Sequence, residues 1–410
     1  MNFGLLGENL LHTFSPHIYA KLGLDDYSIF NVSRDSLGDF IHSFLGRGLN
    51  VTIPHKKAVL PYCISLSDSA VAAGNVNLLL FDDNGKISGH NTDLGGLSYL
   101  MRRAGISVSG KKVLILGSGG AGSTAKTICE AEGALETVFI TRSGDDNYVN
   151  LSIHANADII INTTPVGMFP HSERLLIDLG LFDRLHGVVD LVYNPLRTRL
   201  IQEAERLGIP CSAGLPMLAE QARLAASLFL GREIPETATD ELLSYLHSHL
   251  ESIVLIGMPG CGKSTVAQEL CTITGRELRD SDTLIQLRTG RTPEELIRSE
   301  SLAVFRALES DVISEVSGES GRVIATGGGA PLLEANRNAL RRNGRVYFID
   351  RPISQLDTAH RPLSANLEAL HAERFDIYKS AADYTIAADN LTPQQIAEAI
   401  LEEFHEYTRS

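Results

Sequence analysis

Short apolar runs ending in glycine or asparagine-rich turns alternate along the chain with stretches of helical period. Phe3 to Leu6 is the first run, turned by Gly7, and Ser15-Pro16 then reads as a helix start, with Ser15 as cap and Pro16 at the first helical position. An apolar helical pattern near Leu37 to Leu45 precedes a strand carrying Asn50-Val-Thr-Ile-Pro-His-Lys56 at its end. Lys112 to Leu116, Thr137 to Thr141, Asp158 to Asn162 and Val188 to Val192 are aliphatic or β-branched runs that suit buried parallel strands. Leu196 to Gly208, Leu224 to Leu230 and Glu241 to Leu250 read as helices. A second series opens at Ile253 to Ile256. It continues with a helical pattern over Thr265 to Cys271, a short strand around Arg276 to Leu278, a helix over Ala303 to Val312 and a strand over Val323 to Thr326. Strands alternating with helices predict an α/β fold with parallel sheets.

Two glycine loops give these series their chemistry. Gly257-Met-Pro-Gly260-Cys261-Gly262-Lys263-Ser264-Thr265 follows a strand and opens a helix. Its glycines let backbone N–H groups turn inward onto phosphate oxygens, and the helix beginning near Gly262 adds its positive end. In such an ATP loop Lys263 reaches the β/γ-phosphates and the Ser264 hydroxyl ligates Mg²⁺. A phosphate loop of this kind opens its domain at the first strand, so the roughly 250 residues before it fold on their own. Within them Gly117-Ser-Gly119-Gly120-Ala121-Gly122 follows the strand Lys112 to Leu116 and precedes a helical stretch to Ala131, the context of a dinucleotide fingerprint. Where an NAD site carries an acidic residue, this chain has Thr141-Arg142-Ser143, a cation between hydroxyls that suits the 2′-phosphate of NADP. Asp145 and Asp146 lie beside it, and Arg142 also fits an ordinary exposed loop position.

The first hundred residues bring Thr13, Ser15, Asn50, Thr52, Lys56, Asn75, Asn77, Asn91 and Asp93 to turns and strand ends. Asn and Asp near glycine are often only turn formers. Together, though, they offer hydroxyls, amides, a lysine and a carboxylate, an inventory for a small polyhydroxylated acid. In the second series Asp280-Ser-Asp282, the Arg306–Glu309 pair and Gly327-Gly328-Gly329 stand out. A strand ending in three glycines admits very close backbone approach, whereas Arg306 and Glu309 at i,i+3 also fit a surface pair.

Composition narrows the class. The 410 residues predict two or three domains, and 43% hydrophobic content is enough for proper cores. A net charge of −14 argues against nucleic-acid or anionic-membrane partners. No apolar run approaches the ~20 residues that span a bilayer. The start, MNFGLLGENLLHTFS, lacks a signal-peptide pattern, and the five cysteines (63, 129, 211, 261, 271) are never spaced C-x-x-C. The expectation is a cytoplasmic protein with reduced thiols and neither zinc nor a disulfide framework.

These segments resemble two enzyme families. Thr13-Phe-Ser15-Pro16, Asn50 to Lys56, Asn75-Val-Asn77-Leu78, Asn91-Thr-Asp93, Asn162-Thr-Thr-Pro-Val-Gly-Met168 and Gly214-Leu-Pro-Met217-Leu-Ala-Glu-Gln221-Ala are similar to the motifs of shikimate dehydrogenase. The resemblance implies Lys56 and Asp93 as catalytic pair. It implies Thr13, Ser15, Asn50, Thr52, Asn77, Tyr193 and Gln221 as substrate contacts and Met217, otherwise a core residue, as a contact near the nicotinamide. Its departures are Thr13 for Ser, Leu78 for Thr, and a trimmed stretch between Arg142 and Asp158. From Ile253 to about Phe404 the chain resembles shikimate kinase, through the phosphate loop, Asp280-x-Asp282, Phe305-Arg306-Ala-Leu-Glu309, Gly327 to Gly329, Arg361-Pro-Leu363 and Arg374 to Tyr378. That implies Asp280 with Ser264 on magnesium, Asp282 on the attacking hydroxyl, Arg306 and Arg374 as carboxylate clamp, Gly327 to Gly329 lining the acceptor and Arg361 closing on the phosphate. The segment before Arg361 is short, and Phe375-Asp376-Ile377 lacks the usual proline.

The domain plan implied is a substrate domain over 1–100 completed by helices from 215–249, a Rossmann NADP domain over 101–214, and a P-loop domain over 252–410. The expected protein reduces 3-dehydroshikimate to shikimate with NADPH and phosphorylates shikimate with ATP and Mg²⁺. Two alternatives remain: a quinate/shikimate dehydrogenase with relaxed cofactor use, and a second half that only binds nucleotide and regulates the first.

Overall fold

The computed structural model describes residues 2–10, 13–357 and 367–409. It forms two compact units, one made of Met1–Met168, Arg174–Tyr193 and Leu200–Leu243, the other of Phe169–Glu173, Asn194–Arg199 and Ser244–Ser410.

The first unit holds two sheets. One contains β1 (Phe3–Gly7), β2 (Tyr27–Asn31), β3 (Gly48–Val51), β4 (Ser65–Leu66), β5 (Leu78–Phe81) and β6 (Ile87–His90), in the order β2-β1-β3-β5-β6-β4. Strand β1 runs parallel to β2 and β3, whereas β5 is antiparallel to both β3 and β6. Asn50 pairs with Leu78, and Leu78 with His90. This register brings the end of β3, the start of β5 and the end of β6 to one edge, and with them Asn50, Asn77 and Asn91.

The other sheet contains β7 (Lys112–Leu116), β8 (Glu136–Ile140), β9 (Ile159–Asn162), β10 (Gly187–Asp190) and β11 (Cys211–Ser212), all parallel, in the order β11-β10-β9-β7-β8. Val113, Ile115, Ile159, Ile161 and Val189 enter one core and Leu114, Leu116, Ile160 and Val188 another. Burial on both faces is why these strands read as unbroken apolar runs. The strand order reverses between β7 and β9, the position where doubly wound sheets bind ligand. No helix joins β8 to β9: a single Thr141–Asn147 bridge and a 3₁₀ turn at Leu151–His154 stand there instead. The helix Leu215–Leu230 packs on Asp93–Arg103, and Gly96 permits the approach, since a Cβ there would lie 2.8 Å from the Met217 carbonyl oxygen.

The second unit holds β12 (Ser252–Ile256), β13 (Leu278–Asp280), β14 (Val323–Ala325), β15 (Gly344–Asp350) and β16 (Tyr384–Ala387), all parallel, in the order β13-β14-β12-β15-β16. The central β12 is fully buried from Ile253 to Ile256. Only Glu251 separates it from the preceding helix Thr237–Leu250. No helix among the described residues is long and apolar enough to cross a membrane.

Two local expectations change. The first helix begins at Ser15 itself, after Phe14 in helical conformation, so Ser15 is not its cap. Phe14 is the cap residue and no side chain caps this helix; ahead of it Thr13 Oγ1 accepts from the Ser15 amide at 3.2 Å while its hydroxyl donates to Ser15 Oγ at 2.9 Å. Strand β13 starts at Leu278 rather than Arg276, because Leu278 and Asp280 are the residues that pair with Val323 and Ala325. Arg276 instead donates to the Glu251 and Ser248 carbonyls at 2.6 and 2.5 Å, closing the end of the helix Thr237–Leu250.

Candidate active sites

A cavity of about 300 Å³ in the first unit gathers Thr13, Ser15, Asn50, Thr52, Lys56, Asn77, Asp93, Ala121, Tyr193, Met217 and Gln221 on its wall. Lys56 Nζ lies 2.6 Å from Asp93 Oδ2. The other carboxylate oxygen accepts from Asn77 Nδ2 at 2.8 Å, and Asn77 Oδ1 accepts from the Thr92 amide at 2.8 Å. Asp93 starts the helix Asp93–Arg103, so its backbone is anchored while its side chain faces the strand ends. The Thr92 hydroxyl approaches Gln221 Oε1 at 3.5 Å. Lys56 keeps about a fifth of its side chain exposed, which leaves the ammonium within reach of a ligand. Burial raises the proton affinity of the Tyr193 hydroxyl, so it is present as a neutral donor.

Two tyrosines belong to this wall that no pattern in the sequence announces. Tyr19 and Tyr27 stack with ring centroids 4.2 Å apart, and the Tyr27 hydroxyl donates to Asn50 Oδ1 at 2.7 Å. The Asn50 amide is thereby oriented, and its side chain also faces the Tyr19 hydroxyl. Leu78, which stands where a hydroxyl is usual, is fully buried in β5. Met217 lines the cavity and packs on the core beneath.

The dinucleotide loop leaves β7 at Gly117, where φ is +101°. A Cβ at Gly122 would lie 2.3 Å from the Gly117 carbonyl oxygen, so this turn closes only with glycine there. Gly119 and Gly120 face open space, the room a pyrophosphate needs at the start of the helix Gly120–Ala131. Thr141 and Arg142 follow β8, and Arg142 is exposed. The shape and the charge both fit a phosphorylated dinucleotide.

In the second unit Gly257, Gly260 and Gly262 adopt φ of +147°, +81° and +97°. Lys263 is buried, its ammonium donating to the Gly257 and Met258 carbonyls at 2.9 and 3.0 Å, with Cys261 Sγ at 3.8 Å. Thr265 follows in the first turn of the helix Lys263–Thr274. Ser264 donates to Asp280 Oδ2 at 2.8 Å, while Asp280 Oδ1 caps the next helix by accepting from the Thr283 amide at 3.0 Å. A hydroxyl and a carboxylate side by side are hard oxygen donors, a set that fits Mg²⁺, which takes few protein ligands and completes its shell with phosphates and water.

Across from them the three glycines let side chains press onto backbone. A Cβ at Gly327 would lie 2.7 Å from Glu309 Oε1 and 2.8 Å from Asp282 Oδ1, and one at Gly329 1.8 Å from Arg306 Nη2. Gly328 lies against Pro259 and accepts from the Tyr378 hydroxyl at 2.5 Å. Burial pushes that hydroxyl up to about 12, against the pull of the Arg374 charge. Arg306 donates to Glu309 Oε2 at 2.5 Å. This is no surface pair, because Glu309 is wholly buried. Its carboxyl is raised by burial, an effect that Arg306 offsets only in part. Glu309 belongs with the site residues; its place in the F-R-x-x-E pattern was the available signal. Arg361 lies outside the described residues.

A parallel sheet with a glycine loop at its switch point, and a lysine–carboxylate pair on the adjoining cavity, define a nicotinamide-dinucleotide oxidoreductase; the second unit is a P-loop phosphotransferase. Family models match in both: that of the shikimate dehydrogenase substrate-binding domain over residues 5–79 and that of shikimate kinase over 259–405. A shikimate dehydrogenase (NADP(+)) of Clostridium perfringens is 31% identical over 265 residues, which cover 60% of this chain and 97% of that protein. The chain belongs to the shikimate dehydrogenase family and carries a shikimate kinase domain behind it. Among solved structures, a chorismate mutase/shikimate 5-dehydrogenase fusion protein from Clostridium acetobutylicum aligns with a TM-score of 0.56 at 31% identity, covering 60% of this chain and 96% of that one. Shikimate 5-dehydrogenase from Thermus thermophilus in complex with NADP(H) and shikimate aligns with a TM-score of 0.53 at 29% identity, covering 59% and 98%.

Proposed function

We propose that this chain performs two consecutive steps of the shikimate pathway, reducing 3-dehydroshikimate to shikimate with NADPH and then phosphorylating the 3-hydroxyl with ATP. For the first step the carrying observation is the Lys56–Asp93 pair at 2.6 Å on a cavity wall otherwise rich in hydroxyls and amides. NADPH supplies the hydride when bound. Lys56 gives the ring carbonyl oxygen its proton, and Asp93 holds the ammonium in place. Thr13, Ser15, Asn50, Thr52, Asn77, Tyr193 and Gln221 hold the carboxylate and ring hydroxyls, Met217 borders the nicotinamide, and Gly117 to Gly122 with Thr141 and Arg142 hold the rest of the cofactor. The substrate domain is 1–100 with helices from 215–249, the Rossmann domain 101–214 and the kinase domain 252–410, a division supported by the three separate sheets.

For the second step the carrying observation is the phosphate loop with Ser264 bonded to Asp280 at 2.8 Å. The loop from Gly257 to Thr265 cradles the phosphates, and Lys263 exchanges its loop carbonyls for phosphate oxygens. Ser264 and Asp280 hold Mg²⁺, which when bound neutralises charge on the phosphates. Asp282 takes the proton of the attacking hydroxyl, Arg306 and Arg374 grip the carboxylate, and Gly327 to Gly329 floor the acceptor pocket. Arg361 stabilises the moving phosphoryl group. Gly329→Ala drives a methyl into the Arg306 guanidinium, so the KM for shikimate in phosphorylation rises about tenfold or more, the loss of one charge-assisted bond; ADP release at varied shikimate measures it.

The test is direct. The chain oxidises NADPH when given 3-dehydroshikimate and releases ADP when given shikimate, ATP and Mg²⁺. NADPH oxidation without shikimate-dependent ADP release leaves the second unit as a nucleotide-binding module, and a preference for quinate refutes the substrate assignment. Arg142→Ala weakens NADPH by about tenfold or more and NADH little, since only NADPH loses a phosphate contact. Equal loss for both cofactors makes Arg142 structural.

A further inference from the structure

The segment joining β8 to β9 has no helix, and its polar groups close on one another. Asn147 Nδ2 donates to the Gly144 carbonyl at 2.8 Å and Asn150 Nδ2 to that of Asp145 at 2.7 Å. Asn147 Oδ1 accepts from the Val149 and Asn150 amides at 2.9 and 3.3 Å. The Asp146 carbonyl accepts from the Thr141 amide at 3.2 Å, so the turn folds back onto the residue beside Arg142. Arg142 is exposed, and its charge acts on the Tyr148 hydroxyl.

The two acids of this turn are placed differently. Asp145 is exposed to solvent. Asp146 Oδ1 lies 2.8 Å from Nε2 of His154, whose side chain is only 8% exposed. A carboxylate only accepts, so the imidazole proton sits on Nε2, and Nδ1 is buried without a partner. Four residues from Arg142, an unengaged Asp146 carboxylate would pair with the guanidinium or face the phosphate directly. Either way it would oppose binding of a dianion.

We propose that His154 determines cofactor specificity by holding the Asp146 carboxylate away from Arg142, so that Arg142 stays available to the 2′-phosphate of NADPH. The inference rests on the NADPH reading above. His154 is a positioning residue: it acts through Asp146 and touches no cofactor.

The test compares kcat/KM for NADPH and NADH, with 3-dehydroshikimate saturating, in the full chain and its variants. His154→Ala lowers the NADPH/NADH ratio by roughly tenfold, the effect of letting one charge approach another, with NADH use nearly unchanged. His154→Gln keeps the ratio, because its amide still donates to Asp146. The double variant His154→Ala/Asp146→Asn restores the ratio, because the released group no longer carries charge. Equal loss for both cofactors in His154→Ala, or a double variant that stays low, overturns the inference. Arg142→Ala separates the two layers. If it lowers the ratio and His154→Ala does not, only this inference falls; if wild type prefers NADH, or Arg142→Ala leaves the ratio alone, the cofactor reading falls with it.

Discussion

Lys56→Ala lowers the rate of 3-dehydroshikimate reduction by about 10²–10⁴-fold and leaves shikimate phosphorylation at its wild-type rate. Hydride arriving at a ring carbonyl builds negative charge on oxygen, and that charge must be met by a proton. Lys56 is the ammonium on the cavity wall, and it is held there by Asp93, itself fixed from the other side by Asn77. Alanine removes both the proton and the positive charge. General acid catalysis contributes about 10²–10⁴-fold, so kcat for NADPH oxidation falls by that order. Asp93→Asn loses less, because an amide still orients Lys56 but no longer balances its charge. The phosphorylation residues lie in the other unit, and ADP release with shikimate and ATP is the internal control for folding. A Lys56→Ala enzyme that reduces within tenfold of wild type has its acid elsewhere.

The sequence makes local features easy to read and distant ones hard. Both glycine loops are legible because their function is set within a few residues: a strand, a turn only glycine accepts, a helix start. The parallel strands are legible because burial on both faces removes polar alternation. Helix and strand starts are less so. Ser15 looks like a cap, yet Thr13 bonds its amide, a choice that depends on one dihedral at Phe14. Arg276 looks like strand until its guanidinium is seen to serve carbonyls at Ser248 and Glu251. The pairing of Lys56 with Asp93 comes from family resemblance, since no periodicity links residues at the ends of separate elements. Tyr27 on Asn50 and His154 on Asp146 escape sequence reading altogether. A tyrosine or histidine in an apolar stretch has the same pattern whether its polar tip is idle or engaged. Glu309 is the instructive middle case: its spacing from Arg306 fits a solvated helix face, and only the approach of Gly327 explains why a carboxylate is buried there.

Asp282→Asn lowers kcat for phosphorylation by about 10²–10⁴-fold, while the KM for shikimate changes only a few-fold. Two carboxylates converge on Gly327, and their surroundings assign their parts. Glu309 has no exposed surface, and its Oε2 is bonded to Arg306 at 2.5 Å. Burial raises its carboxyl, Arg306 pulls it back, and the neighbouring Asp282 charge raises it further. A substrate hydroxyl cannot reach such a group, so in the proposed reaction Glu309 would act by holding Arg306. Asp282 is partly exposed at the start of the helix Ser281–Thr289, two residues after the Asp280 carboxylate that accepts from Ser264. It is therefore the carboxylate that can receive a proton from the hydroxyl as the phosphoryl group moves. Asparagine keeps its shape and its hydrogen bonding to the ring but cannot take the proton, so the loss falls on kcat. Glu309→Gln gives the opposite split: Arg306 loses its charged partner, the KM for shikimate rises, and kcat falls less. ADP release measured over a range of shikimate concentrations separates the two. If Asp282→Asn turns over within tenfold of wild type while Glu309→Gln collapses in kcat, the roles are exchanged, and Asp282 only orients the ring.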